Sequence, residues 1–142
     1  MIEITGSATI TGSAALAFGG GGGGVNPNGK FVVTGESDRV LASTDAITWS
    51  EYTMPTYQHW SSIAYGNGKF ATPGEYGTDV AVSTDATTWT LNTFPTLHYW
   101  KSIAYGNGKF VVPGAYSTDV AVSTDATTWT LGTMPSLSLI HI

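Results

Sequence analysis

The 142-residue sequence has no cysteine, which excludes a disulfide framework, a thiolate metal site and a cysteine nucleophile. Charge is scarce: Asp, Glu, Lys and Arg make up 11% of the chain, less than half of the roughly 25% of an average soluble domain. Basic residues are rarer still, 5 against 10 acidic ones. The net charge of −5 argues against a nucleic-acid or anionic-membrane partner. No apolar run approaches the ~18 residues of a membrane span, and the opening Met-Ile-Glu-Ile lacks the basic start of a secretory signal. Glycine (18 residues) and aromatics (12%) are plentiful, and few aromatics with high charge is what disorder requires. The profile is that of one turn-rich β domain, or a piece of one, with a surface of Ser and Thr hydroxyls.

Internal repetition organises the chain. The stretch WSSIAYGNGKFATPGEYGTDVAVSTDATTWTLNTFPT from Trp60 recurs from Trp100 as WKSIAYGNGKFVVPGAYSTDVAVSTDATTWTLGTMPS. A more divergent copy runs from Asn28 to Thr56, with its first segment at Ala14–Gly19 and an insertion carrying the run Gly19–Gly24 between them. Asn28, Asn67 and Asn107 are 39 and 40 residues apart. A period near 40 with four strand-like segments is what a propeller blade needs.

Each copy reads as four short antiparallel strands. Small Ser62 and Ala64 alternate with Ile63 and Tyr65 in an inner strand, and Gly66-Asn67-Gly68 supplies the hairpin turn. Phe110, Val111 and Val112 make the second strand apolar on both faces, hence central, and Pro73 and Pro113 end it. The third strand is Asp79–Ser83. The fourth, Thr88–Leu91, is expected to turn Trp89 and Leu91 inward and Thr90 outward. The expectation is an all-β partial β-propeller of three four-stranded antiparallel blades. The divisions are an N-terminal Thr/Gly/Ser/Ala segment (1–13), blade 1 with its Gly-rich insertion (14–59), blade 2 (60–99), blade 3 (100–136) and a non-repeat tail (137–142).

The turn between third and fourth strands carries Ser43-Thr44-Asp45-Ala46-Ile47-Thr48-Trp49, then Ser83 to Trp89, then Ser123 to Trp129. It resembles the Asp-box of bacterial neuraminidase-type repeats, S-x-D-x-G-x-T-W, found at that hairpin of propeller blades. The whole repeat is also similar to those of phage virion and bacterial surface proteins. The box here is one residue shorter, and Ala46, Ala86 and Ala126 stand where glycine is common. Ser43, Asp45, Trp49, Ser83, Asp85, Trp89, Ser123, Asp125 and Trp129 are expected to be structural. The aspartate closes an Asx-type turn, the serine supports it, and the tryptophan fills the gap between sheets.

The resemblance also raises the question of a sialidase, whose three arginines clamp a substrate carboxylate. This sequence has one, Arg39, and lysines cannot rebuild a bidentate clamp. Other glycoside hydrolysis needs two carboxylates roughly 5–10 Å apart. Glu36, Asp38 and Glu75 fall in one kind of turn, whereas Asp79 and Asp119 repeat and read as turn residues. His59 and His98 occupy near-equivalent connections without metal-ligand spacing. The reading is a protein that is not an enzyme and uses no metal or cofactor.

Binding fits better. The fourth-to-first connection and the second-to-third turn share one end of a blade, and differences between the two close copies gather there. Glu75 becomes Ala115, Gly77 becomes Ser117, Asn92 becomes Gly132, Phe94 becomes Met134 and Thr96 becomes Ser136. Aromatic faces beside amides and hydroxyls suit sugar rings, so the expected binding residues are Tyr57, His59, Tyr76, His98, Tyr99 and Tyr116. Trp60 and Trp100 read instead as plugs of the blade junction. The function expected is a glycan- or receptor-binding display module of a virion or extracellular surface, the alternatives being a structural spacer or a glycoside-hydrolase fragment.

Three blades fall short of the roughly 4–8 of a closed ring, so the chain is expected to be part of a longer propeller or to self-associate through its open blade faces. Ile2–Thr5 or Ala8–Thr11 is the candidate closing strand. The tail Leu137–Ile142, which holds His141, breaks the repeat and resembles one reading frame of a sequencing adapter.

Overall fold

The computed structural model describes residues 3–4, 11–19 and 29–135. The tail 137–142, the 8–10 part of the second candidate closing strand and most of the Gly19–Gly24 run lie outside the described residues.

Among the described residues, twelve strands form three sheets. The third is the simplest: β9 (Ala104–Gly106), β10 (Lys109–Pro113), β11 (Asp119–Ser123) and β12 (Thr130–Thr133), antiparallel and in chain order. The second repeats it with β5 (Ala64–Gly66), β6 (Lys69–Pro73), β7 (Tyr76–Ser83) and β8 (Thr90–Tyr99). Each first hairpin turns through Asn-Gly. Asn67 and Gly68 have φ of 49° and 76°, Asn107 and Gly108 51° and 76°, the left-handed pair of a tight hairpin.

The first sheet contains β1 (Glu3–Ile4), β2 (Thr11–Gly19), β3 (Lys30–Ser43) and β4 (Thr48–His59). Here the single strand β3 takes the parts that β6 and β7 play in the second sheet, pairing through residues 30–36 with β2 and through 36–42 with β4. The register Ala17↔Val32 and Phe18↔Phe31 matches Ala64↔Ala71 and Tyr65↔Phe70, as the repeat requires. Glu3 and Ile4, within the first candidate closing strand, run parallel to Thr48 and Trp49 on the outer edge of this same sheet. That pairing occupies edge groups which would otherwise stay open.

The fourth strands are longer than the sequence pattern suggests. β4 and β8 continue past Pro55 and Pro95 to His59 and Tyr99. A register shift between Ser37 and Arg39, and another between Gly77 and Asp79, absorbs the irregularity, and an outer strand tolerates proline. Leu91 also departs from expectation. It is exposed, as is Leu131, whereas Trp89 and Trp129 are buried.

Two sandwiched cores hold the stack together. Between the first and second sheets lie Val32, Val40, Ala42, Met54 and Trp60 against Ile63, Phe70, Ala81, Ala86 and Trp89. Between the second and third, Ala64, Ala71, Val80, Val82, Phe94 and Trp100 meet Ile103, Phe110, Val112, Ala121, Ala126 and Trp129. Alternate residues of the second sheet thus serve opposite cores, as a period of two demands. The inner strands β2, β5 and β9 are successive neighbours. Phe94 sits edge-on to Trp129 at 4.9 Å and tilted against Trp100 at 4.7 Å, linking the outer strands across the gap.

Candidate binding surface

Short local sequences determine the two ends of the stack. At one end is the Ser-Thr-Asp turn. Asp85 Oδ1 accepts from the amides of Thr87 and Thr88, both at 2.8 Å, and from the Ser83 hydroxyl at 3.0 Å. Ser83 Oγ in turn accepts from the Ala86 amide at 2.8 Å. Asp45 and Asp125 repeat the arrangement. The amides, led by those of Thr88 and Thr128, hold the Asp85 and Asp125 carboxyls well below the usual carboxylate range; Thr48 does the same for Asp45. Ala46, Ala86 and Ala126 adopt φ of 60°, 66° and 64°, left-handed positions at which the similar motif has glycine. The hydrogen bonds that these carboxylates accept close their own turns.

This end is also tied across the sheets. Lys30 Nζ donates to the Asp85 carbonyl and Lys69 Nζ to the Asp125 carbonyl, each at 2.8 Å. Shallow clefts of about 410 and 490 Å³ repeat beside the second and third turns, lined by the same Lys, Ser, Thr and Asp positions.

At the opposite end, backbone hydrogen bonds join the sheets in series. The Glu75 amide donates to the His59 carbonyl at 2.9 Å, and the Ala115 amide to the Tyr99 carbonyl at 2.7 Å. The Trp60 and Trp100 amides reach back to Gly35 and Glu75 of their own sheets. Their indoles donate to Ser37 and Gly77 carbonyls, and both rings are fully buried. These tryptophans are junction plugs. They fix the backbone that carries the expected binding residues.

Those residues fall on strand ends as well as in turns, since β4 and β8 include Tyr57, His59, His98 and Tyr99. Tyr76 and Tyr99 face each other across the ladder with ring centroids 4.7 Å apart. Tyr57 approaches Glu36, its hydroxyl 3.4 Å from Oε1, and partial desolvation followed by the Glu36 charge raises its pKa. Tyr116 has a φ of 59° and projects from the third sheet. Tyr57, Tyr76, Tyr99 and Tyr116 are 61, 53, 47 and 85% exposed.

The two histidines part company. His98 Nε2 lies 2.7 Å from Asp119 Oδ2 and its ring stands edge-on to Trp100, so it bridges the second and third sheets. Gln58 does the same one sheet earlier, donating to Asp79 Oδ2 at 2.9 Å. Asp79 on β7 and Asp119 on β11 therefore make inter-sheet bonds with side chains of β4 and β8, correcting their reading as turn residues. The repeat conceals this because the partner lies 21 residues away. His59 instead turns Nδ1 to Glu75, while its buried Nε2 has no hydrogen-bond partner.

Glu75 is the residue that sequence reasoning undervalued. Its carboxylate lies between His59 of the first sheet and Lys101, 3.4 Å away at the entry to the third. Lys101 Nζ also stands 5.9 Å from the Tyr99 ring centre. The available signal was a coincidence of differences: Lys101 replaces Ser61, and Glu75 has Ala115 as its counterpart. No group of three or more His, Asp or Glu side chains gathers in metal-binding fashion among the described residues.

Three sheets of the same winding, stacked on their faces with inner strands in succession, make this an all-β, β-propeller-like protein. No protein-family model and no curated protein matches the sequence. Among solved structures, it is similar to selenomethionine-substituted virginiamycin B lyase from Staphylococcus aureus, a propeller. The TM-score is 0.68 at 20% identity, over 78% of this chain and 39% of the lyase chain. The likeness is one of fold. The chain spans well under half the length of that enzyme.

Proposed function

We propose that the three sheets are blades of an Asp-box-type propeller and that the chain is a non-catalytic binding module. In this reading the end carrying Tyr57, Tyr76, Tyr99 and Tyr116 meets a glycan of a host or cell surface, in a virion or bacterial-surface setting. The observation that carries it is the exposure of four tyrosines at the end where the backbone is cross-tied between sheets. Ordinary surfaces bury or scatter such rings, whereas a sugar offers an apolar C–H face to stack on them. Glu75, Lys101 and His59 add polar groups beside the Tyr76–Tyr99 pair for the hydroxyls. The Ser-Thr-Asp turns at the far end support a scaffolding role, since their acceptors are spent on their own amides.

Screening the purified chain against immobilised glycans tests this. Binding is expected, and Tyr99→Ala should weaken it by about 1–3 kcal/mol, as an aromatic hot spot does. No binding to any glycan, or binding that survives Tyr76→Ala and Tyr99→Ala together, would leave a structural spacer as the better reading.

A further inference from the structure

The third sheet carries, with no described residue seated on it, much of the half-interface that the second sheet uses to hold the third. Ala71, Val80 and Val82 are buried in the core shared with the third sheet. Their counterparts Val111, Val120 and Val122 are exposed or half-buried, Val111 rising to 37% where Ala71 is at 0%. Ala64 and Ala104 show the same contrast.

The polar and steric fittings repeat too. Gly66 is the seat of the Tyr105 ring, so closely that an added methyl would land within the ring; the same position in the third sheet, Gly106, has nothing within 4 Å. Asn67 Nδ2 donates to the Thr124 carbonyl and Lys69 to that of Asp125. Asn107 and Lys109 hold those places on the third sheet, with no following turn among the described residues. At the other end of the stack, Leu16 is 63% exposed, whereas Ile63 and Ile103, which likewise precede the inner-strand alanine, are buried. Trp49 of that first sheet is already covered, so a contact there would centre on the inner strands.

We propose that the outer face of the third sheet docks the first sheet of a second copy of this chain, head to tail. Val111 packs on Leu16, Gly106 faces the same inner strand β2, and Asn107 and Lys109 reach the carbonyls of Thr44 and Asp45. The support is continuity: the Lys-to-carbonyl bond recurs at both internal sheet contacts, and the third sheet keeps Gly106, Asn107 and Lys109 at the places that Gly66, Asn67 and Lys69 use. A head-to-tail contact either closes a ring or runs on as a filament. Two copies of three sheets bring six, inside the roughly 4–8 of closed propellers.

Sedimentation velocity of the full chain over a wide concentration range tests the proposal. A reversible dimer is expected. Val111→Arg and Leu16→Arg should each weaken it about tenfold or more, the effect of an unpaired charge in an apolar contact. Gly106→Trp should do the same by filling the seat. Thermal melting at monomeric concentration checks that each variant folds, and Tyr116→Ala should leave association unchanged. Mixing the Val111→Arg and Leu16→Arg chains should restore a one-contact dimer, since each keeps one intact face. A chain that stays monomeric throughout, or a dimer that survives Gly106→Trp, would overturn the proposal. So would a mixture that fails to associate while Val111→Arg alone abolishes the dimer, the mark of a head-to-head contact.

Discussion

Lys69 Nζ donates a 2.8 Å hydrogen bond to the carbonyl of Asp125, joining the Asn-Gly hairpin of one sheet to the Ser-Thr-Asp turn of the next. Lys30 and Asp85 make the same bond one sheet earlier. The two most repetitive pieces of the sequence therefore lock into each other between neighbours. Their near-identity from copy to copy follows from a structural task that every sheet must perform.

Asp85→Ala removes the acceptor of two turn amides and the Ser83 hydroxyl. The turn should lose about 1–2 kcal/mol. Chemical denaturation should show a lower midpoint with an unchanged slope, and glycan binding should persist.

Acid should act through the same groups. The Asp85 and Asp125 carboxyls are depressed in the folded chain by amides led by those of Thr88 and Thr128. A depressed folded pKa contributes stability that is fully present above the unfolded value, about 3.9 for aspartate, and is lost as pH falls toward the folded value. Stability should therefore be flat with respect to these two groups above about pH 5 and decline below about pH 4. The Asp85→Asn, Asp125→Asn double variant should show a shallower acid limb; an unaltered limb would remove these carboxyls from the account.

The left-handed alanines offer a gain. Ala46 is only partly buried, and relief of its φ of 60° by glycine is worth roughly 1–2 kcal/mol against about 0.4–1 kcal/mol of extra unfolded-chain freedom. Ala46→Gly should raise the melting temperature slightly. Ala86→Gly should gain less, because its buried methyl is lost from the inter-sheet core.

Gly66 and Gly106 are identical in sequence context and opposite in tolerance. Gly66→Ala must displace the Tyr105 ring and should cost about 1–3 kcal/mol, as overpacking does. Gly106→Ala meets open space and should stay within about 0.5 kcal/mol of the parent. Paired thermal melts at monomeric concentration would decide it.

Much of this protein follows from sequence alone. The 39- and 40-residue spacing, the Asn-Gly turns and the alternation of small and large residues specify three antiparallel sheets, because hairpin register and side-chain period are local properties. The Ser-Thr-Asp turn is local as well: donors and acceptor lie within six residues, from Ser83 to Thr88. Tertiary structure decided what passes between copies. Asp79 and Asp119 look like turn residues until Gln58 and His98 are brought against them from the preceding sheet. Glu75 has no evident partner in sequence, yet stacking delivers His59 from one side and Lys101 from the other. Gly66 and Gly106 are indistinguishable in the repeat, and only the position of the third sheet makes one a seat and the other open surface. Repetition encodes each sheet, but a contact between sheets depends on which sheet comes next.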